Sequence, residues 1–311
     1  MAKKLRLTMD TNMTFEEGVE EFILSCEARN LRPATIRHYQ DSIRQIYKVI
    51  PKETPINEID EDTWDTYKIT LRKKATLNDM SIYTYGRDFK TILRFFMKQS
   101  WLPEMELQLP KTDKAPTETY TEAELYKLLK KPNLKKCSFT EYKCWVIVNF
   151  LLSTGIRQNS LINIRICDVD FETDTIRINV TKNRKPLLIP MNRDLKKILG
   201  EYLKYRKVED DKDYLFCNEY GDKLVKSTLY HSMCLYNKKR EVEKTGIHRF
   251  RHTFAKQWIL MGGNVVTLQK ILGHSSLAIT QNYLNILVCD IKAEMDEFNI
   301  LREFKRESIK M

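Results

Sequence analysis

Residues 103–119, PEMELQLPKTDKAPTET, divide the chain: three prolines, no aromatic residue and little periodicity mark a linker. A chain so divided folds as two units, residues 1–102 and 120–311, each long enough to bury its own core. In the first, Thr14-x-x-Glu17 has capping-box spacing and Phe15, Val19, Phe22 and Ile23 follow at helical intervals, so a helix is expected to about Arg29. Pro33 suits a helix first turn, and Ile36, Tyr39, Ile43, Ile46 and Tyr47 continue an amphipathic pattern that Pro51 and Pro55 end. Two more helices are read from Trp64, Tyr67 and Leu71 and from Tyr85, Phe89, Ile92, Leu93 and Phe96. At this spacing the aromatics form a core stripe. The basic residues Arg72, Lys73, Lys74, Arg87, Lys90 and Arg94 are better candidates for contacts to phosphate.

The second unit opens on another capping box, Thr121-x-x-Glu124, and continues into an apolar helix, CWVIVNFLLST, that Gly155 stops. A short helix is expected over 158–164. DVDFETDTIRINV alternates around a turn at 172–174, and PLLIP follows the turn TKNRK, which predicts three short antiparallel strands. From Asn192 onward the patterns are helical again. The fold class is therefore mainly α with a small antiparallel β-sheet. The tail 290–311 reads as an amphipathic helix, with Ile291, Met295, Phe298, Ile300, Leu301 and Phe304 available for burial.

Charge separates the two units. Residues 1–114 carry 19 Lys and Arg against 18 Asp and Glu, and the remainder 34 against 24, so nearly all of the net charge of +11 lies in the second unit. From Lys244 to Cys289 there is no acidic residue, while Lys244, Arg249, Arg251, Lys256 and Lys270 are basic. That concentration implies a polyanionic partner. The seven cysteines (26, 137, 144, 167, 217, 234 and 289) are scattered without a C-x-x-C pair, which argues for reduced thiols over a disulfide framework or a zinc cage. No apolar run reaches membrane-spanning length and MAKKLRLTMD lacks the apolar core of a secretory signal, so a cytoplasmic protein is expected.

The acid-free stretch also gathers three of the five histidines. On a helix beginning near Ile247, the residues Ile247, Phe250, Phe254, Trp258 and Met261 would line one face, and His248 and Arg251 would project together from an adjacent one. Gly273 suits a helix C-terminus and Ser275 or Ser276 a cap, which places His274 at a junction where backbone N–H groups favour an anion, with Tyr283 on the following helix. His248 and His252 stand at i and i+4, a spacing that two metal ligands can use. No Glu follows His248, no Cys or carboxylate lies near, and Arg249 and Arg251 would repel a cation, so no metal and no other cofactor is expected.

Taken together, TGIRQNSLINIRICDVDF at 154–171, TKNRKPLLIP at 181–190, His248-x-x-Arg251, Leu272-Gly273-His274 and Tyr283 resemble, in order and separation, the tyrosine recombinase (phage integrase) family. The resemblance covers the whole chain, since residues 14–100 also look like the helical core-binding domain of these enzymes. It implies a Xer-like or transposon-type integrase performing conservative site-specific DNA recombination. Arg157 and Arg251 would clamp one DNA phosphate, Tyr283 would attack it to give a 3′-phosphotyrosyl bond, and Lys182 would protonate the departing 5′-oxygen. His248 and His274 would donate to the phosphate, and one of them would accept the tyrosine proton. Lys185 lies in the same turn as Lys182 and competes for its role. The implied partner is double-stranded DNA with inverted-repeat core sites, bound by four subunits on two sites, the free chain being a monomer or weak oligomer. About a dozen residues precede the first helix, too few for the additional arm-site domain of some phage integrases. One departure stands out: the family's usual acidic residue three positions after the first arginine is Ser160 here. Strand relaxation of the topoisomerase IB kind, a non-catalytic DNA-binding protein of the same fold and a metal-dependent nuclease remain as alternatives.

Overall fold

The computed structural model describes residues 13–74, 77–112, 118–281 and Tyr283, and the chain divides between Ala115 and Pro116 into two compact units. In the first, four helices surround an aromatic core: α1 (Phe15–Ala28), α2 (Pro33–Ile46), α3 (Glu61–Arg72) and α4 (Asp79–Lys98). Local chemistry starts them. Thr14 and Glu17 form the expected reciprocal capping box, Pro33 opens α2 at its first turn, and the Asp60 and Asn78 side chains cap α3 and α4. Phe15, Phe22, Trp64, Tyr67, Phe89 and Phe96 are fully buried, several meeting edge to face, so the aromatic stripe is a core.

The stretch read as linker is partly used for packing. Met105, Leu107 and Leu109 recur at every second residue, so an extended backbone turns all three toward the same core. Glu106 N–H donates to Glu61 Oε1 at 3.0 Å, and the Lys90 ammonium donates to the Leu107 carbonyl. Of the basic residues expected to meet phosphate, Lys90 is thus engaged within its own unit, and Arg87 pairs with Asp88.

The second unit is built around α6 (Phe139–Thr154), which is buried on nearly every side. It follows α5 (Glu122–Leu129), whose capping box is Thr121 and Glu124. After it come α7 (Gln158–Leu161) and a three-stranded antiparallel sheet of β1 (Val169–Asp170), β2 (Thr175–Ile178) and β3 (Leu187–Pro190), in the order β1-β2-β3. Ile176 pairs with Val169 on one side and Ile189 on the other, and Ile176, Ile178 and Ile189 all face the core. Next are α8 (Arg193–Tyr205) and α9 (Lys226–Lys239), then α10 (Ile247–Leu260), α11 (Val265–Leu272) and α12 (Leu277–Gln281). α10 starts where its periodicity predicts, with Ile247, Phe250 and Phe254 buried. Met261, expected on that face, is 77% exposed because the helix has ended at Leu260. Among the described residues no helix is long and apolar enough to cross a membrane, and the six described cysteines are free thiols. The amphipathic tail 290–311 and Cys289 lie outside the described residues.

Candidate active site

Gly155 ends α6 with φ of +60°, a conformation that costs an L side chain energy. A Cβ there would also meet Phe254 Cδ1 at 2.3 Å. The glycine lets the chain turn directly against α10, and the next residues to emerge are Ile156 and Arg157. Gly273 ends α11 in the same left-handed conformation, and α12 starts four residues later. These two helix ends converge on Arg251, which α10 presents among its buried residues.

Arg251 is only 4% exposed, yet backbone carbonyls hold it. Its Nη1 donates to Gly155 O at 2.7 Å and its Nη2 to Leu272 O at 2.9 Å. Nη2 also meets His274 Nε2 at 2.7 Å. Arg157 is fixed in the same way, Nη1 donating to Leu272 O at 3.3 Å. Burial, and then the neighbouring Arg157, push the Arg251 pKa down to about 10, and burial lowers that of Arg157. No carboxylate among the described residues answers either guanidinium at hydrogen-bond distance. Two other cations of the acid-free stretch are paired from outside it: Arg249 with Glu118 and Lys244 with Glu124. Buried Arg251 and half-buried Arg157 thus form a cationic pair without a counter-ion among the described residues, an arrangement that favours binding an anion.

Ser160 does not replace the missing acid. Its Oγ donates to Val180 O at 2.7 Å and ties α7 to the end of β2, where the lysine-bearing turn begins. That turn bends through Arg184 at φ +58° and is fastened to the helix junction by Asn183 Nδ2, which donates to Gly273 O at 3.3 Å. A cavity of about 390 Å³ lies against the arginines, lined by Arg157, Arg251, His274 and, from the turn, Lys185. Lys182 is exposed on the turn and outside that lining.

Arginine can only donate, so the Arg251 contact makes His274 Nε2 an acceptor; its Nδ1 then carries the proton and donates to Thr280 Oγ1 at 2.8 Å. Burial, followed by Arg251 and Arg157, drives the His274 pKa to about 4, which agrees with a neutral ring. His248 sits in the first turn of α10, exposed at the surface; partial desolvation by the surrounding protein, and then Arg251, Arg157 and Lys226, lower its pKa. Tyr283 is buried in a turn just after α12 and not within a helix. Its ring lies nearly parallel to that of His274, centroids 6.3 Å apart. Burial raises its phenol pKa, and the nearby guanidiniums of Arg251 and then Arg157 oppose the rise.

One residue of this cluster carries no role in the sequence reading. His252 Nδ1 lies 2.9 Å from Tyr283 Oη, a contact between residues 31 positions apart. Sequence reasoning weighed His252 only as a metal partner of His248. The available signal was its place on α10: positions 248, 251 and 252 share one face at 100° per residue.

The profile of the phage integrase family matches residues 118–288, and that of the phage integrase SAM-like domain matches residues 14–114. The chain belongs to the phage integrase family. It is a tyrosine recombinase, an enzyme that cleaves and rejoins DNA strands. The tyrosine recombinase XerA of Saccharolobus solfataricus is 33% identical over 271 residues, covering 84% of this chain and 85% of its own, and XerC of Leptospira interrogans is 25% identical over 83% and 85%. In fold, the recombinase is similar to the Tn1549 transposon integrase in complex with transposon right end DNA, with a TM-score of 0.73, 20% identity and coverage of 87% and 94%. A lambda integrase tetramer bound to a Holliday junction gives 0.71, 14% identity and coverage of 88% and 78%.

Proposed function

We propose that this recombinase performs conservative site-specific exchange by attacking, through Tyr283, a DNA phosphate held by Arg157 and Arg251. The observation that carries the reading is the guanidinium pair of buried Arg251 and half-buried Arg157, held by backbone carbonyls and the His274 ring with no carboxylate among the described residues, and set beside the buried Tyr283. Two guanidiniums offer forked donors to the non-bridging oxygens of one phosphate and neutralise the charge that builds as phosphorus becomes five-coordinate. A covalent 3′-phosphotyrosine keeps the phosphodiester energy, so rejoining needs no nucleotide. His248 donates to the phosphate, and so does His274 once an anion displaces the Arg251–His274 contact and the ring's proton moves to Nε2, Nδ1 then accepting from Thr280 Oγ1. The 181–185 turn supplies the proton for the 5′-oxygen: the family resemblance favours Lys182, and Lys185 lines the cavity in the DNA-free chain.

The substrate is duplex DNA with inverted core sites, and four subunits act on two such sites in the cytoplasm, as symmetric strand exchange requires. The test is covalent capture: the protein is incubated with nicked duplexes of randomised core sequence, and DNA that resists denaturation is recovered and sequenced. The expected result is a 3′-linked adduct on a defined inverted repeat, absent with Tyr283→Phe although that variant still binds the recovered duplex. Failure of the wild-type chain to trap any duplex overturns the reading.

A further inference from the structure

Two histidines were candidates to receive the tyrosine proton, and neither is placed to do so. His274 Nε2 is engaged by Arg251 and its Nδ1 by Thr280. His248 lies in the first turn of α10, open to solvent. The ring nitrogen that meets the phenol is Nδ1 of His252, at 2.9 Å, within the reach a general base needs. With the neutral ring's proton on Nε2, Nδ1 accepts the hydroxyl's single proton across this contact.

We infer that His252 is the catalytic base of the cleavage step, an assignment that rests on the proposed role of Tyr283. As Tyr283 Oη bonds to phosphorus and the bond from phosphorus to the 5′-oxygen breaks, the phenol proton passes to His252 Nδ1. The 5′-oxygen takes its proton from a lysine of the 181–185 turn. On rejoining, both transfers reverse. The imidazole is neutral at rest, since burial and the facing charges of His248, Arg251 and Arg249 hold its pKa near 4. A bound phosphate cancels part of that positive field, so the base strengthens when the substrate arrives. In the DNA-free chain the same hydrogen bond ties the nucleophile to α10.

The test uses the duplex recovered by covalent capture and a copy with sulfur as the 5′-bridging atom, a leaving group that needs no proton. His252→Gln can still accept the phenol's hydrogen bond through its amide oxygen but cannot take the proton. Adduct formation is expected to fall about 10²-fold at neutral pH. The residual rate should climb with pH as hydroxide takes over, the loss should persist on the sulfur substrate, and DNA binding should be unchanged. Added imidazole is expected to restore part of the rate to His252→Ala. A His252→Gln rate within about threefold of wild type with the same pH profile overturns the inference, as does full rescue by sulfur, the mark of a lost acid. Nitrogen NMR of histidine-labelled protein needs no DNA: His252 Nδ1 should be unprotonated and hydrogen-bonded at neutral pH and shift in Tyr283→Phe. A protonated Nδ1, or no shift, contradicts the inference even if no cleavable duplex is found.

Discussion

Both units bury charged side chains, and Asp88 of the helical unit and Arg251 of the second are treated in opposite ways. Asp88, 1% exposed in the helical unit, accepts from Ser42 Oγ at 2.7 Å, pairs with His38 Nε2 at 2.7 Å and meets Arg87 Nη2 at 3.0 Å. Arg251, 4% exposed in the second unit, has carbonyls and a neutral imidazole for company. Carbonyl dipoles orient a guanidinium without cancelling its charge, and an unpaired buried ion is costly. Asp88 is therefore complete within the fold, whereas Arg251 has no counter-ion among the described residues.

The largest effect that would sharpen this contrast is on chemistry. Arg251→Ala and Arg157→Ala should each lower adduct formation by about 10³-fold or more, since each removes charge-assisted donors from a developing anion. Single-turnover rates at saturating DNA measure it. Asp88→Ala should do the reverse: a loss of about 2 kcal/mol from its hydrogen bonds to charged partners, seen in denaturant unfolding of the helical unit, with cleavage at saturating DNA retained. A catalytic collapse in Asp88→Ala would break the comparison.

A third effect is on pH. His252 and His274 have folded pKa values near 4 against an ordinary 6.5, so between these values the unfolded chain binds more protons. Their contribution to stability is complete above about pH 6.5 and is lost as pH falls toward 4. His252→Gln should flatten that slope in melts run from neutral to acid pH. The smallest effect belongs to Ser160→Ala, which removes one hydrogen bond to Val180 O and should cost about 1 kcal/mol with only a few-fold slower cleavage.

The parts of this account legible in sequence are those set by neighbours along the chain. Thr14 with Glu17, Thr121 with Glu124, Gly155, Gly273 and the strand alternation around residues 172–174 each act within a few residues. Arg157, Arg251, His274 and Tyr283 were found through a family pattern, and the fold brings them together. What escaped depends on distance or on backbone detail. The His252–Tyr283 contact joins two segments across two helix ends, and no periodicity encodes it. That Lys185 and not Lys182 lines the cavity depends on how a short turn folds, with Arg184 in the left-handed region. Leu107 sits among prolines and charges, and its burial follows from a neighbouring core.

Arg251 has no counter-ion among the described residues, and the partner proposed for it is a DNA phosphate oxygen. The most direct measurement of that pairing compares Arg251→Ala with the wild-type chain on two duplexes, one normal and one in which methyl replaces a non-bridging oxygen of the scissile phosphate. The expected loss is about 10³-fold on the phosphate and less than about tenfold on the neutral analogue, because the arginine then has no anionic charge to answer. An equal loss on both duplexes would show that Arg251 serves the fold and not the phosphate, and would contradict the account.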